Sequence, residues 1–207
     1  MDMDISPLVT VRVANKNDTE AIQRCRFDVY SEQGYITPSD FPDGKEWDEF
    51  DNYSVSVIAS ASPNLNAVGT TRLVLANKGP LPIQDSRYHG VDISGANNPA
   101  EISRLCVRKR FRNGKISLGM YRTLLHIVEI EEVDRVYAVI DEDFFETLRW
   151  IGFPFSKIGA PVNYMGKTIP CMCEIKEVIP ALRDNENANM LGITTLFEQP
   201  FPGQLIM

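Results

Sequence analysis

Apolar and polar positions along this chain repeat with two different periods, which predicts a domain that mixes strands and helices. Val9 to Val13 alternates with a period of two, as a strand with one buried face does. Lys115 to Val128 places apolar residues at helical spacing, so one face of a long helix can enter a core. Helices are also expected at Glu20 to Tyr30, after possible capping residues at 17–19, and from Asp141 to about Ile151, where Gly152 closes the helix. Further strands are expected at Tyr53 to Ala59, Ala67 to Leu75, Glu101 to Val107, Val136 to Ile140, Val162 to Tyr164 and Pro170 to Ile175.

The remaining segments lack a regular pattern. Residues 34–46 and 77–99 are rich in glycine, proline or both and should be irregular, and Ser62-Pro63-Asn64 should turn the chain between two strands. Residues 184–207 are only loosely patterned. The order of elements suits one α/β domain with a mixed sheet over residues 1–207.

The composition is that of a soluble globular protein, with 43% apolar and 24% charged residues. No apolar run approaches the roughly 20 residues that span a bilayer, and the acidic N-terminus is unlike a secretory signal. We therefore expect no membrane span and a cytoplasmic protein. The formal net charge of -7 argues against general nucleic-acid binding.

The cysteines and acids do not predict a metal site. A zinc site needs more ligands than the C-x-C pair at 171–173, and His89 and His126 are the only histidines. The acids at 141–143 begin a helix, where they complement its dipole. We expect reduced cysteines used as small apolar residues at Cys25, Cys106, Cys171 and Cys173.

A basic strip interrupts this acidic chain. Six of the twelve residues from Arg104 to Lys115 are basic and none is acidic. Such a strip calls for an anionic partner, although a solvated basic face without a partner is the alternative. Glu101 precedes the strip by three residues, which makes it a candidate for chemistry beside the partner's binding surface.

Four motifs follow one another between about residues 24 and 110. They are an arginine with an aromatic residue four positions on and a second aromatic after a glycine, paired aspartates, a G-x-x-R-L strand and an E-x-S-R strand. They occur at Arg26, Tyr30 and Tyr35, at Asp48 and Asp51, at Gly69 to Leu73, and at Glu101 to Arg104. Together they resemble acyl-homoserine lactone synthases. Tyr35 departs from that pattern, because lactone synthases usually have tryptophan there, in a region that helps to hold S-adenosylmethionine.

The second half of the chain is more similar to N-acyl amino acid synthases and exosortase-associated acyltransferases. The similar segments are Leu81-Pro82-Ile83, Ala100 to Val107, Gly159 to Lys167 and Pro170-Cys171. Both groups have a GNAT-like fold, so the resemblance implies a three-layer α-β-α sandwich around a mixed, mostly antiparallel sheet. Both take long acyl chains from acyl carrier protein, which implies its acyl-phosphopantetheine as donor and no bound cofactor.

Acyl transfer to an amine needs a proton acceptor and hydrogen-bond donors for the oxygen that becomes negative. Glu101 is the candidate base, a role proposed for the matching residue of the superfamily. An ion pair of Glu101 with Arg104 or Arg72 is the alternative, and an arginine partner would keep the acid ionised. Backbone N–H groups around Cys106 are the candidate donors if the strand is bulged. Ser103 completes the catalytic set by its place in the E-x-S-R motif.

Charged residues inside otherwise apolar patterns should pair, because charges are rarely buried alone. We predict the pairs Arg26–Asp48 and Arg72–Asp51, with acceptor binding or structural support left open for the aspartates. The predicted substrate-binding set is Arg26, Tyr30, Tyr35, Asp48, Asp51, Arg72, Arg104, Phe145 and Trp150. An acyl tunnel or ordinary core stays open for Leu118, Leu124, Val139, Phe144, Phe145, Leu148, Trp150 and Phe153.

Residues 110–117 bear on the identity of the acyl donor. They occupy the position where many GNAT enzymes have the CoA-binding loop R/Q-x-x-G-x-G/A. Here the stretch contains one glycine. A phosphopantetheine arm carries a single phosphate, so the incomplete loop and the basic strip favour acyl carrier protein over CoA. The predicted carrier-binding residues are Arg108, Lys109, Arg110, Arg112 and Lys115, with Arg104 beside them.

The sequence thus predicts an N-acyltransferase that moves a fatty acyl group from acyl carrier protein to the α-amine of an amino-acid-like acceptor. An acyl-homoserine lactone synthase with S-adenosylmethionine as co-substrate, which would make a quorum-sensing autoinducer, is the alternative within this class. A non-catalytic module that binds acyl chains or carrier protein is the alternative from another class, and an acyl-CoA acetyltransferase is a fourth reading. The charges alone do not name the acceptor.

Overall fold

A computed structural model of the 207-residue chain describes residues 8–62, 66–86, 91, 93–163 and 166–207. Its strands are β1 (Val9–Val13), β2 (Ser54–Ala61), β3 (Asn66–Leu75), β4 (Pro99–Val107), β5 (Arg135–Asp141), β6 (Ser156–Lys157), β7 (Val162–Asn163), β8 (Lys167–Glu174) and β9 (Gln204–Ile206). Its α-helices are α1 (Thr19–Gln33), α2 (Lys115–Ile130), α3 (Glu142–Trp150), α4 (Ile175–Asp184), α5 (Glu186–Met190) and α6 (Ile193–Glu198). Short 3-10 turns occur at Lys16–Asp18, Pro38–Asp40, Glu49–Tyr53, Pro82–Gln84 and Lys109–Phe111.

The strands form one sheet in the order β6-β8-β5-β4-β3-β2-β1-β9, with β7 paired to the edge of β8. The pairs within the described chain are antiparallel except for β4 and β5, which run parallel. The predicted mixed, mostly antiparallel sheet is therefore confirmed.

Helices cover both faces of the sheet. On one face, Met120 and Leu124 of α2 pack against Val11 and Val57 in a core of fully buried side chains. The same face continues into a second core, where α3, α4 and α6 pack against β5 and β8. On the opposite face, α1 packs against β2 and β4. This arrangement is the predicted three-layer sandwich.

The C-terminal third departs from the prediction. The strand expected to run to Ile175 ends at Glu174, and α4 begins at Ile175. Pro180 lies inside α4, and a proline at such a position argues against a helix when only the sequence is read. The helix forms because Val178 and Leu182 bury its apolar face in the second core.

The segment 184–207 was expected to be loosely patterned, but it contains α5, α6 and β9. Tertiary contacts hold these short elements. The buried Arg122 of α2 donates to the carbonyl oxygens of Leu196 and Gln199 at the end of α6, at 3.2 and 2.6 Å. β9 pairs with β1 at the sheet edge. Elements of three to six residues carry too little periodicity to be seen in the sequence.

Three sequence-based predictions fall partly outside the described residues: the turn at 62–64, the strand end at Tyr164, and the possible zinc ligand His89. No α-helix in the described part of the chain is long and apolar enough to cross a membrane.

Candidate active site

A cavity of about 300 Å³ opens in the sheet where β4 and β5 diverge. The two strands pair only from Pro99–Arg135 to Ile102–Ala138. Beyond that register their side chains line opposite walls of the cavity. The lining includes Glu101, Ser103, Arg104 and Leu105 from β4 and Val139, Ile140 and Asp141 from β5.

A β-bulge in the β3–β4 pair lies just beyond the point where β4 separates from β5. Thr70 pairs with Cys106 and Arg72 with Ser103, so Thr71 stands opposite both Arg104 and Leu105. Arg104 has φ of 55°, the left-handed region that non-glycine residues rarely adopt. A bulge leaves backbone groups outside the ladder, and strained backbone of this kind clusters at functional sites. A bulged strand was the condition for oxyanion donors near Cys106, and β4 has a bulge at Arg104 and Leu105.

Glu101 lies at the base of the cavity with its side chain almost fully buried. The backbone N–H of Ile83 donates to its carboxylate at 2.6 Å. Burial raises the pKa of Glu101 to about 8, against the opposing effects of that hydrogen bond and of Arg72 and Arg104. Desolvation outweighs the nearby cations, neither of which pairs with this acid directly.

The alternative of an ion pair with Glu101 is not what the structure contains. In the described part of the chain, the ion pairs of Arg72 and Arg104 within 4 Å go to other carboxylates. Ser103 is likewise engaged, because its hydroxyl accepts from Arg72 Nε at 3.0 Å.

The charged residues near the cavity form one connected network. Arg72 binds Asp48 at 2.5 Å and Asp51 at 2.8 Å, and Arg26 binds Asp51 at 2.8 Å. The predicted pair Arg72–Asp51 is confirmed, whereas Arg26–Asp48 is wrong. Although burial opposes it, the two arginines lower the pKa of Asp51. The 3-10 turn Glu49–Tyr53 brings both aspartates to this place, since Asp48 caps that turn.

Glu46 belongs to this network and was missed. It is 2% exposed, and its carboxylate lies 2.9 Å from Arg104 Nε and 3.6 Å from Arg26 Nη1. The number of charges could have revealed it, because the buried Arg26 and Arg72 and the partly exposed Arg104 need more than two aspartates to be compensated. Asp48 completes the set by binding Arg104 Nη2 at 2.7 Å.

Two tyrosines line the polar end of the cavity. Tyr30 is buried on α1, and its ring lies 6.1 Å from that of Tyr35, which is 39% exposed. The Arg104 guanidinium lies 5.9 Å from the centre of the Tyr30 ring. Burial raises the pKa of Tyr30, so its phenol stays neutral. The structure thus brings both predicted tyrosines to the cavity.

The other end of the cavity is apolar and continues towards a second cavity of about 50 Å³ inside the core. Four residues line both spaces: Ile102, Tyr121, Leu148 and Phe155. Of the proposed tunnel residues, Val139, Phe144 and Leu148 line the first space and Leu124, Leu148 and Phe153 the second. Leu118 packs against the second core without lining either space.

Two residues of the predicted substrate-binding set do not reach the cavity. Phe145 is buried in the second core, and Trp150 is 54% exposed at the end of α3. Their helical pattern in the sequence does not distinguish the two faces of a nine-residue helix. Phe144, their neighbour, lines the cavity instead.

The basic strip begins where β4 ends. Lys109, Arg110, Arg112 and Lys115 are exposed, as predicted. Arg108 differs, because it binds Asp28 of α1 at 2.7 Å and donates to the carbonyl of Ala67 at 2.8 Å.

The strip leads into the start of α2. Gly114 precedes that helix with φ of 82° and has no side chain to cap it, but the Asn113 side chain accepts from the Lys115 N–H at 3.1 Å. Arg112 donates to the carbonyl of Val107 at 2.8 Å, which fixes it beside the end of β4. Exposed cations beside a helix N-terminus form a surface suited to a phosphate group.

Cysteine and metal chemistry find little support. A hydrogen bond with Cys25 and burial both raise the pKa of Cys106, so its thiol is protonated and a poor nucleophile. All four cysteines are free and buried, as predicted. No cluster of metal-binding side chains occurs among the residues that the structure describes.

The chain is similar to known proteins both in sequence and in fold. Residues 25–122 match the family model of the GNAT acetyltransferase domain. A search of curated proteins gave no significant match. The predicted GNAT-like fold is confirmed, and so is the enzyme class of GNAT-type acyltransferase.

Several solved structures share the fold over most of the chain. A CoA-dependent acyl-homoserine lactone synthase, BjaI, solved with SAM and isopentyl-CoA, has a TM-score of 0.69 and 18% identity, covering 94% of each chain. FeeM, an N-acyl amino acid synthase from uncultured soil microbes, has a TM-score of 0.63 and 17% identity, covering 88% of this chain and 99% of its own. TofI, in a complex with an inhibitor and MTA, has a TM-score of 0.68 and 21% identity, covering 87% and 98%.

Proposed function

Because residues 25–122 form a GNAT acetyltransferase domain, we propose that the protein transfers a fatty acyl group from acyl carrier protein to the α-amine of an amino-acid-like acceptor. One observation carries this proposal. A buried carboxylate with a raised pKa, Glu101, shares a cavity with a β-bulge, a charged wall and an apolar extension. These are the parts that amide formation from a thioester needs.

Glu101 acts as the base in this proposal. The neutral acceptor amine attacks the thioester carbon, and the surplus proton of its nitrogen passes to the ionised Glu101 directly or through water. The carbon–sulfur bond then breaks, and the phosphopantetheine sulfur leaves as a thiol by taking that proton from Glu101. A pKa of about 8 suits this step, because a carboxyl at its ordinary pKa near 4 would be too weak to take a proton from an amine. The bulge opposite Thr71 interrupts the regular ladder at Leu105, and a backbone N–H group on this stretch of β4 would stabilise the oxyanion.

The acceptor binds at the charged end. Asp48 and Arg104 both line the cavity, so an ammonium and a carboxylate could each meet an opposite charge. Their partners in the network hold both side chains in place. A zwitterionic amino acid matches this pair of charges.

The donor docks along the basic strip. The exposed cations from Lys109 to Lys115 lie beside the N-terminus of α2, where the phosphate of a phosphopantetheine arm would bind. Acyl carrier protein, rather than CoA, is supported by the single glycine of this segment. The cytoplasmic location predicted from the sequence stays a prediction.

Synthesis of an acyl-homoserine lactone is the second candidate. Structures with this fold include the lactone synthase BjaI, solved once with SAM and once with MTA. S-adenosylmethionine carries the same ammonium and carboxylate as an amino acid. Incubation with acyl carrier protein and S-adenosylmethionine, followed by detection of methylthioadenosine, separates the two candidates.

Mass spectrometry of organic extracts tests the proposal. Cells that express the wild type should accumulate a fatty amide with a free carboxylate, whereas cells that express Glu101→Gln should not. A lactone would establish the second candidate and a possible signalling role. If neither compound accumulates while the protein still binds acyl thioesters, it is a non-catalytic binding module.

A further inference from the structure

Tyr121, on α2, lies where the two cavities meet. Its ring centre lies 5.7 Å from that of Phe153 and 6.5 Å from that of Phe144. These aromatic contacts fix the phenol between the cavity that contains Glu101 and the apolar space behind it. Three apolar side chains share this position: Ile102, Leu148 and Phe155.

The hydroxyl group of Tyr121 makes no hydrogen bond to any residue that the structure describes. Some polar side-chain atoms of this protein have neither accessible surface nor a hydrogen-bond partner, such as Nε of Arg26 and Nη1 of Arg122. The Tyr121 hydroxyl is not one of these atoms. The hydroxyl therefore keeps accessible surface, and the spaces that Tyr121 lines are the two cavities. Burial raises the pKa of Tyr121, so the group remains a neutral donor.

Other polar side chains at this end are already satisfied. Thr168 donates to the carbonyl of Val162 at 3.4 Å, and the Cys173 thiol donates to the carbonyl of Glu174 at 3.5 Å. Tyr121 is different, because a buried tyrosine usually finds a partner and leaving it unpaired costs about 1–3 kcal/mol. A plain hydrocarbon chain would leave it unpaired, whereas a chain that carries oxygen would not.

We propose that Tyr121 is a specificity-determining residue that selects acyl donors with a hydroxyl or keto oxygen on the chain over unsubstituted donors of the same length. This inference rests on the proposed function. Glu101 and the bulge at Arg104 mark the reacting end of the cavity, and Tyr121 lies further in, at the entrance to the apolar space. The oxygen that it binds therefore lies on the chain beyond the thioester carbonyl.

Calorimetric titration of the full chain without acceptor tests this inference. The probes are acyl carrier protein loaded with a decanoyl, a 3-hydroxydecanoyl or a 5-hydroxydecanoyl chain. The wild type should bind at least one hydroxylated probe about tenfold more tightly than the decanoyl probe, since one satisfied hydrogen bond is worth about 1.4 kcal/mol. Tyr121→Phe should lose that preference and bind the decanoyl probe at least as tightly as the wild type does.

Two further measurements keep the test decisive. Tyr30→Phe removes a phenol oxygen from the polar end of the same cavity, so it should keep the preference. The melting temperature of Tyr121→Phe should equal or exceed that of the wild type, because no internal hydrogen bond is lost.

Three results would overturn the inference alone: equal affinities of the wild type for all three probes, the same preference in Tyr121→Phe, or a clear fall in its melting temperature. No binding of any probe to the wild type would remove the proposed donor site and this inference with it.

Discussion

The two ends of the cavity are built on opposite principles. At the polar end, the charged side chains of Arg26, Arg72, Arg104 and the three acids Glu46, Asp48 and Asp51 hold one another. At the apolar end, side chains from the two cores line the inner cavity, and none of the lining residues is charged. In the proposed function, the rigid network would position the acceptor, whereas the shape of the apolar space and the Tyr121 hydroxyl would select the acyl chain of the donor. Changes at the polar end should therefore alter catalysis or folding, and changes at the apolar end should alter the choice of donor.

The largest effect is expected at Glu101, where the two ends meet. Glu101→Gln keeps the size of the side chain and an oxygen for the Ile83 N–H, but it removes the base. Turnover should fall by about 10²–10⁴-fold, the usual contribution of a positioned base. Rates with saturating donor and acceptor measure this, with thermal unfolding as the check on folding. A fall of less than about threefold would show that Glu101 does not transfer the proton.

The next largest effect is expected on stability when the polar network is broken. Glu46→Ala should lower the free energy of unfolding by about 3–5 kcal/mol, because it removes a buried carboxylate that pairs with the buried Arg26 and the partly exposed Arg104. Urea denaturation measures this. Glu49→Ala, an exposed acid three residues on, is the matched control and should change stability by less than about 0.5 kcal/mol. Equal losses of stability in the two variants would contradict the claim that the ion pairs of Glu46 stabilise the fold.

Charge reversal on the basic strip should change donor recognition only. Lys109→Glu with Arg110→Glu should raise the KM for acyl carrier protein about tenfold and leave the KM for the acceptor unchanged. Arg108 is left intact because it ties β4 to Asp28. The effect should shrink in high salt, which screens exposed charges. Lys176→Glu, an exposed reversal on α4, is the control, and an equal response to both changes would place the carrier elsewhere.

The smallest effect is expected at the apolar end. Val178→Phe fills the inner cavity from α4 and should shift the preferred acyl chain to a shorter one, with only a few-fold loss for short donors. The stability cost of such overpacking is about 1–3 kcal/mol. Product profiles from mixed donors, analysed by mass spectrometry, measure the shift. An unchanged profile would mean that the chain does not enter this space.

The same contrast explains what could be predicted from the sequence. Charges inside apolar segments are conspicuous, so Arg26, Asp51 and Arg72 were assigned to a network before its geometry was known. Glu46 was missed because it lies in an irregular segment with no apolar pattern around it. Which acid pairs with which arginine could not be predicted from the sequence. The pairing depends on the turn at Glu49–Tyr53, which places Asp48 and Asp51 next to Arg72.

The apolar end carries no comparable signal. Phe144 and Phe145 are adjacent and chemically identical, and only the packing of α3 decides that Phe144 lines the cavity. The cavity itself depends on the divergence of β4 and β5, which follows from a bulge at a non-glycine residue with positive φ. Nothing in the residue type of Arg104 predicts that conformation.

Titration of the Glu101 carboxyl tests the central claim most directly. Infrared difference spectra of the wild type against Glu101→Gln follow the carboxylic acid band of this one residue as the pH is raised. We predict that the acid loses its proton with a midpoint near pH 8, because burial raises the pKa of Glu101 to about 8. A midpoint near 4, the ordinary value for glutamate, would show that Glu101 is solvated and unsuited to take a proton from the acceptor amine.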